Sequence, residues 1–199
     1  MKIIDVIQGS PEWFKARCGI PTASNFDRIV DIKGNVSKQR EKYLYQLAGE
    51  RITKTTEEPY QSDAMKRGKK TEDEARKFYE IVKGKKVNQV GLCVTEGRFI
   101  YGASPDGVIG KEGLIEIKCP SISTHVSYLI KGVFPLDYFQ QLQGQLLVTG
   151  RNWVDFISYY PAVKPLIVRV KPDKRFLLIL KNELENFCAE LEKLVKKIK

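Results

Sequence analysis

Between Tyr101 and Pro120 the chain reads YGASPDGVIGKEGLIEIKCP, and three of its side chains can do chemistry together. Asp106 follows a Ser-Pro pair, while Glu116 and Lys118 sit two residues apart in a short apolar run. Residues i and i+2 of a strand share a face, so Glu116 and Lys118 point the same way. A hairpin through the turn from Gly110 to Gly113 brings Asp106 alongside them. Two carboxylates and an ammonium on one surface can hold a hard divalent cation and stabilise developing negative charge. The bland alternative is an exposed ion-pair cluster, which is common and weak. Against it, Glu116 and Lys118 interrupt an apolar run where unpaired charge is costly to bury. A third acid, Glu72, falls on a helix face that is otherwise small and apolar.

Lys and Arg number 34 against 24 Asp and Glu, a formal charge of +10 that favours a polyanionic partner. Carboxylates suit Mg²⁺ or Mn²⁺, which retain waters for substrate phosphates. Together these features point to phosphodiester hydrolysis of nucleic acid. The four cysteines (Cys18, Cys93, Cys119, Cys188) are scattered with no CxxC pair, which disfavours zinc and iron–sulfur sites and suggests reduced thiols in the cytoplasm. The lone His125 excludes chemistry that needs two histidines. No apolar run is long enough to span a membrane, and MKIIDVIQGSPEW lacks the marks of a secretory signal.

The elements that must position these residues read as one domain over 1–199, with no linker or repeat. Ser10-Pro11-Glu12 starts a short helix carrying Trp13, Phe14 and Arg17 and ending at Gly19. Thr22 or Ser24 caps a second helix to about Val30, and Ser37 opens a third. A helix over about Ser62 to Val82 places Ala64, Met65, Gly68, Glu72, Ala75, Phe78 and Tyr79 on one face. From Lys85 the pattern turns to strands (VNQVGLCVT, RFIYGAS, GVIG, LIEIK), in a mostly antiparallel sheet. Ser121 to Ile130 is helix or loop, and Pro135 starts a helix ending at Gly150. WVDFISYY and PLIVRV are further strands, and Asp173 to Lys199 is an amphipathic helix striped by Leu184, Phe187, Leu191, Leu194 and Ile198. The fold class is α/β in the α+β sense, a mixed sheet flanked by helices.

SPDG followed by EIK resembles the D…ExK signature of the PD-(D/E)xK nuclease superfamily, with its restriction-endonuclease-like fold. EWFKARCGIPTASNF is similar to the N-terminal motif of the lambda-exonuclease family, the YqaJ-like viral recombinases. RGKKTEDEARKFYE resembles that family's GxxxE helix and DYFQQLQGQLLVTG its YxxQxQ helix, in the family's order from Gln8 to about Tyr160. The resemblance implies a Mg²⁺-dependent alkaline exonuclease, with Mn²⁺ as a substitute, that degrades linear duplex DNA from 5′ ends to leave 3′ single-stranded tails for recombination. It implies Asp106, Glu116 and the Ile117 carbonyl as metal donors, Glu72 as a further acid near the metal, and Lys118 as the catalytic lysine. Arg17, Ser24 and Ser104 would bind the 5′-phosphate, with Gln141 lining the site. It further implies a ring-shaped homotrimer, a single-strand annealing protein as partner, and a phage or prophage protein in a bacterial cytoplasm.

Each assignment has a plainer counterpart: Arg17 as a surface cation, Ser24 as a helix cap, Trp13 as core packing, Tyr138 as structural, Gln141 and Gln143 as solvated helix positions. The competing functions are a structure-specific PD-(D/E)xK endonuclease and a DNA-end-binding module without catalysis.

Overall fold

The computed structural model describes residues 1–56 and 63–199, with the backbone alone for residues 63–70. After β1 (Lys2–Ile4) comes α1 (Pro11–Arg17), whose N-cap Ser10 accepts from the Trp13 N–H. The second expected helix is a 3₁₀ segment, Ala23–Arg28, and no side chain caps it. The Thr22 hydroxyl accepts instead from Arg17, so the residue that looked like a cap belongs to the cleft. Ser37 forms a turn before α2 (Arg40–Thr53), accepting from the Gln39 N–H.

α3 (Asp63–Lys83) carries Glu72, Ala75 and Tyr79; the expected stripe positions Ala64, Met65 and Gly68 lie outside the described side chains. Two sheets follow rather than one. β2 (Leu92–Val94) lies between β1 and β3 (Gly102–Ala103) in a three-stranded antiparallel sheet. The second sheet runs β4 (Gly107–Ile109), β5 (Gly113–Lys118), β6 (Trp153–Ser158), β7 (Leu166–Val170), in that order. It is mixed, because β5 and β6 pair in parallel while the other pairs are antiparallel. Parallel pairing needs a long crossover, and here it contains α4 (Ile122–Lys131), a 3₁₀ turn at Leu136–Tyr138 and α5 (Phe139–Thr149).

Ser121 caps α4, and Gly132 and Gly150 close α4 and α5 in the left-handed conformation. α6 (Lys174–Ile198), capped by Asp173, buries Phe176, Leu180, Leu184, Phe187 and Leu191 against Phe26, Ile29, Tyr43 and Leu47. Two glycines of the β4–β5 hairpin are required by close approach. A Cβ on Gly107 would sit 2.2 Å from Val87, and one on Gly113 would sit 2.2 Å from the Trp153 ring. Among the described residues no helix is long and apolar enough to cross a membrane.

α3 is tied to the second sheet by polar contacts as well as packing. The Tyr79 hydroxyl donates to buried Asp155 at 2.7 Å, and Asp155 accepts both arms of Arg169, at 2.7 and 2.8 Å. Tyr159 donates to Glu74 on the same helix. A hydrogen bond to a charged group contributes about 1.5–3 kcal/mol. Tyr79→Phe should therefore lower the melting temperature by roughly 5 °C, read by circular dichroism; an unchanged midpoint would show that packing alone seats α3.

Candidate active site

The β4–β5 register pairs Gly107 with Ile115, which sets Asp106 across from Glu116. Asp106 Oδ2 accepts from the Ile117 N–H at 2.6 Å. The N–H and C=O of one strand residue face the same edge, so the Ile117 carbonyl also turns toward Asp106. Asp106 and Ile117 both line the same cleft.

Glu116 is 2% exposed, and both its oxygens are engaged. Oε1 accepts from Gln141 Nε2 at 2.6 Å and meets Lys118 Nζ at 2.7 Å; Oε2 accepts from Gln145 Nε2 at 2.6 Å. Lys118 is 26% exposed and lies 5.0 Å from the Tyr138 ring centre. Glu72 bonds Arg76 at 2.7 Å, and Arg76 reaches Asp73 as well. Burial, followed by Glu116 and Glu72, holds the Asp106 carboxyl well above the usual carboxylate range. Burial also raises Glu72, against the guanidinium of Arg76. Burial pulls Lys118 down, but Glu116 and Asp106 outweigh it and leave its proton more firmly held than usual.

At the N-terminal side, Arg17 Nη2 donates to Thr22 Oγ1 at 2.9 Å and Ser24 Oγ at 3.2 Å. Its guanidinium lies 4.0 Å from the Trp13 ring centre, and Trp13 Nε1 donates to Ser104 Oγ at 3.0 Å. Burial lowers the Arg17 pKa, and among the described residues no carboxylate pairs with it. A desolvated cation held by hydroxyls is a receptor for an anion with several oxygens.

A single cleft of about 1490 Å³ is lined by Arg17 and Ser24 at one part and by Glu72, Asp106, Ile117 and Lys118 at another. Ser104 reaches it through Trp13, and Gln141 sits on Glu116 rather than beside Arg17. Trp13 belongs to the cleft and to none of the buried core clusters. Gln143 is structural: its amide donates to the Lys171 carbonyl and accepts from the Asp173 N–H. Gln145, four residues after Gln141 and so on the same helix face, joins the site by donating to Glu116, and its spacing from Gln141 is its one mark in the sequence.

Among the described residues no three acidic, His or Cys side chains converge into a ready-made metal cage. The donor chemistry nevertheless fits a hard cation: Asp106, Glu116 and the Ile117 carbonyl, at neighbouring positions of the hairpin, offer only oxygen.

Residues 12–152 match the family model of the YqaJ-like viral recombinase domain. Two crystal structures of LHK-Exo are similar over nearly the whole chain. The alkaline exonuclease from Laribacter hongkongensis has a TM-score of 0.86 at 35% identity, covering 95% of this chain and 96% of its own. The complex of LHK-Exo with dAMP has a TM-score of 0.87 at 36% identity, covering 96% of each chain. A phage-related exonuclease from Haemophilus somnus shares the fold alone, at 12% identity and a TM-score of 0.66, covering 90% of this chain and 96% of its own. No curated protein sequence matches.

The crowding of acids around Asp106 carries a stability cost in the metal-free protein. A carboxyl whose folded pKa is raised binds more protons folded than unfolded, so its contribution falls as pH rises from about 4 toward the raised value. Asp106→Asn keeps the acceptor for Ile117 and removes the charge. In EDTA it should melt about 2–4 °C above the wild type at neutral pH, with the gap closing near pH 4. A gap that is absent or reversed at neutral pH would contradict the electrostatic account.

Proposed function

The chain belongs to the YqaJ-like viral recombinase family, and from that premise we propose that it is a Mg²⁺-dependent 5′→3′ exonuclease. Its substrate on this reading is linear duplex DNA, from which it leaves 3′ single-stranded tails for recombination. One observation carries the reading: an anion-receptor arginine and a carboxylate–lysine centre open into the same cleft. An enzyme that holds the terminal phosphate while cutting the next bond needs both in one place. The +10 charge favours the approach of the DNA polyanion.

Arg17, with Ser24 beside it and Thr22 behind, grips the 5′-phosphate, and Ser104 acts through Trp13. Asp106, Glu116 and the Ile117 carbonyl hold Mg²⁺, with Glu72 as the further acid; Mn²⁺ can substitute because it prefers the same oxygen donors. When bound, the ion supplies positive charge that polarises the scissile phosphate. Lys118, anchored on Glu116 and stacked by Tyr138, directs its ammonium at the phosphoryl oxygens, where charge builds during displacement. Gln141 orients Glu116.

The proposal extends to a homotrimeric ring and to a single-strand annealing protein as partner. A run of exposed apolar residues supports a subunit contact: Ile122, Val126 and Ile130 at helical spacing along α4, followed by Val133 and Leu136, with Ile130 80% exposed. Light scattering should give three times the chain mass; a monodisperse monomer would remove the ring.

Cleavage assays on linear duplexes with 5′-phosphate or 5′-hydroxyl ends test the activity. Lys118→Ala should lower cleavage by about 10²–10³-fold while leaving end binding largely intact. Arg17→Ala should erase the preference for phosphorylated ends. Closed circular DNA should resist the wild type; its cleavage at the linear rate would favour an endonuclease instead.

A further inference from the structure

We infer that Gln145 is a positioning residue for Glu116, and that it sets the affinity of the cleft for its divalent cation. The inference rests on the metal reading above and concerns a residue that does not line the cleft.

Gln145 is 1% exposed, on the inner face of α5, one helical turn beyond Gln141. Its Nε2 donates to Glu116 Oε2 at 2.6 Å, while Lys118 and Gln141 both address Oε1. The two carboxylate oxygens therefore have different surroundings. Oε1 lies with Lys118, which lines the cleft; Oε2 is anchored inward by an amide with no solvent route.

A second feature separates this contact from ordinary core packing. Gln145 Oε1 is buried without any hydrogen-bond partner. Leaving a buried amide oxygen unpaired is costly, and an apolar side chain would avoid that cost. Turning the amide over would point oxygen at a carboxylate, so only the observed orientation gives Glu116 a donor. The position thus gives up one hydrogen bond to secure the bond that holds Glu116. Partners that orient a metal-binding carboxylate alter metal affinity by about 10–100-fold when replaced.

The experiment is divalent-cation binding to the full chain by calorimetry, with Mn²⁺ and Mg²⁺ and without DNA. Gln145→Met keeps the bulk and removes the donor, and it should weaken cation binding about tenfold. Binding of a 5′-phosphorylated duplex in EDTA should stay within about twofold of wild type, because Arg17 is untouched. Raised Mg²⁺ should restore much of the cleavage rate, as a defect confined to affinity requires. Gln145→Leu, which also removes the donor, covers the case in which the methionine variant does not fold; it too should bind cation more weakly. Unchanged cation affinity in a folded variant overturns the inference alone. A wild-type chain that binds no divalent cation overturns the metal reading and this inference with it.

Discussion

A carboxylate, Glu116, is buried to 98% in the middle of an apolar strand, and much of the architecture serves to make that burial tolerable. An uncompensated ion there would cost several kcal/mol. Three donors answer it: one ammonium from the same strand and two amides from α5. The amides can arrive only if α5 packs on the face shared by β5 and β6, where its Leu142 and Leu146 meet Leu114, Val154 and Phe156. The parallel β5–β6 pairing achieves this, because its obligatory crossover carries α5 between the two strands. Gly144 then lets α5 press on Phe26, where a Cβ would come within 2.4 Å of the ring. The helix that satisfies Glu116 is thereby fastened to the core built by α2 and α6.

The parts of this arrangement that were legible in the sequence are those encoded within a few residues. Asp106 opposite Glu116 followed from a glycine-bounded hairpin, and the i, i+2 spacing placed Lys118 beside Glu116. Ser10 and Gly150 declared helix ends through local hydrogen-bond and backbone demands. The family resemblance added Arg17 and the TAS motif, which no spacing rule links to a hairpin some 80 positions away.

What escaped depends on partners distant in the chain. Gln145 looks like any helix glutamine until Glu116 is known to lie beneath it. Trp13 reads as core because an indole is large and apolar, yet its N–H bonds Ser104 and its face carries Arg17. Thr22 looks like a cap, but the short 3₁₀ segment makes no cap bond and frees the hydroxyl for Arg17. One mostly antiparallel, mixed sheet was expected from the strand-rich sequence; the strands instead divide into two sheets, and the two helices between LIEIK and WVDFIS form the crossover of the parallel pair in the second.

The same contacts explain how two separate tasks could be kept in register. Trp13 ties the Arg17 cluster to Ser104, and Ser104 lies two residues before Asp106 on one extended segment. Gln8 reinforces that segment by donating to both the Val90 and Pro105 carbonyls. The spacing between the Arg17 cluster and the carboxylates is then fixed by a segment held through Trp13 on one side and Gln8 on the other. On the proposed reading, this is what selects the bond to be cut: a terminal phosphate seated at Arg17 leaves the next phosphodiester a fixed step away, over Asp106 and Lys118. Specificity for ends and the position of the cut would then share one structural origin, the short span from Ser104 to Asp106.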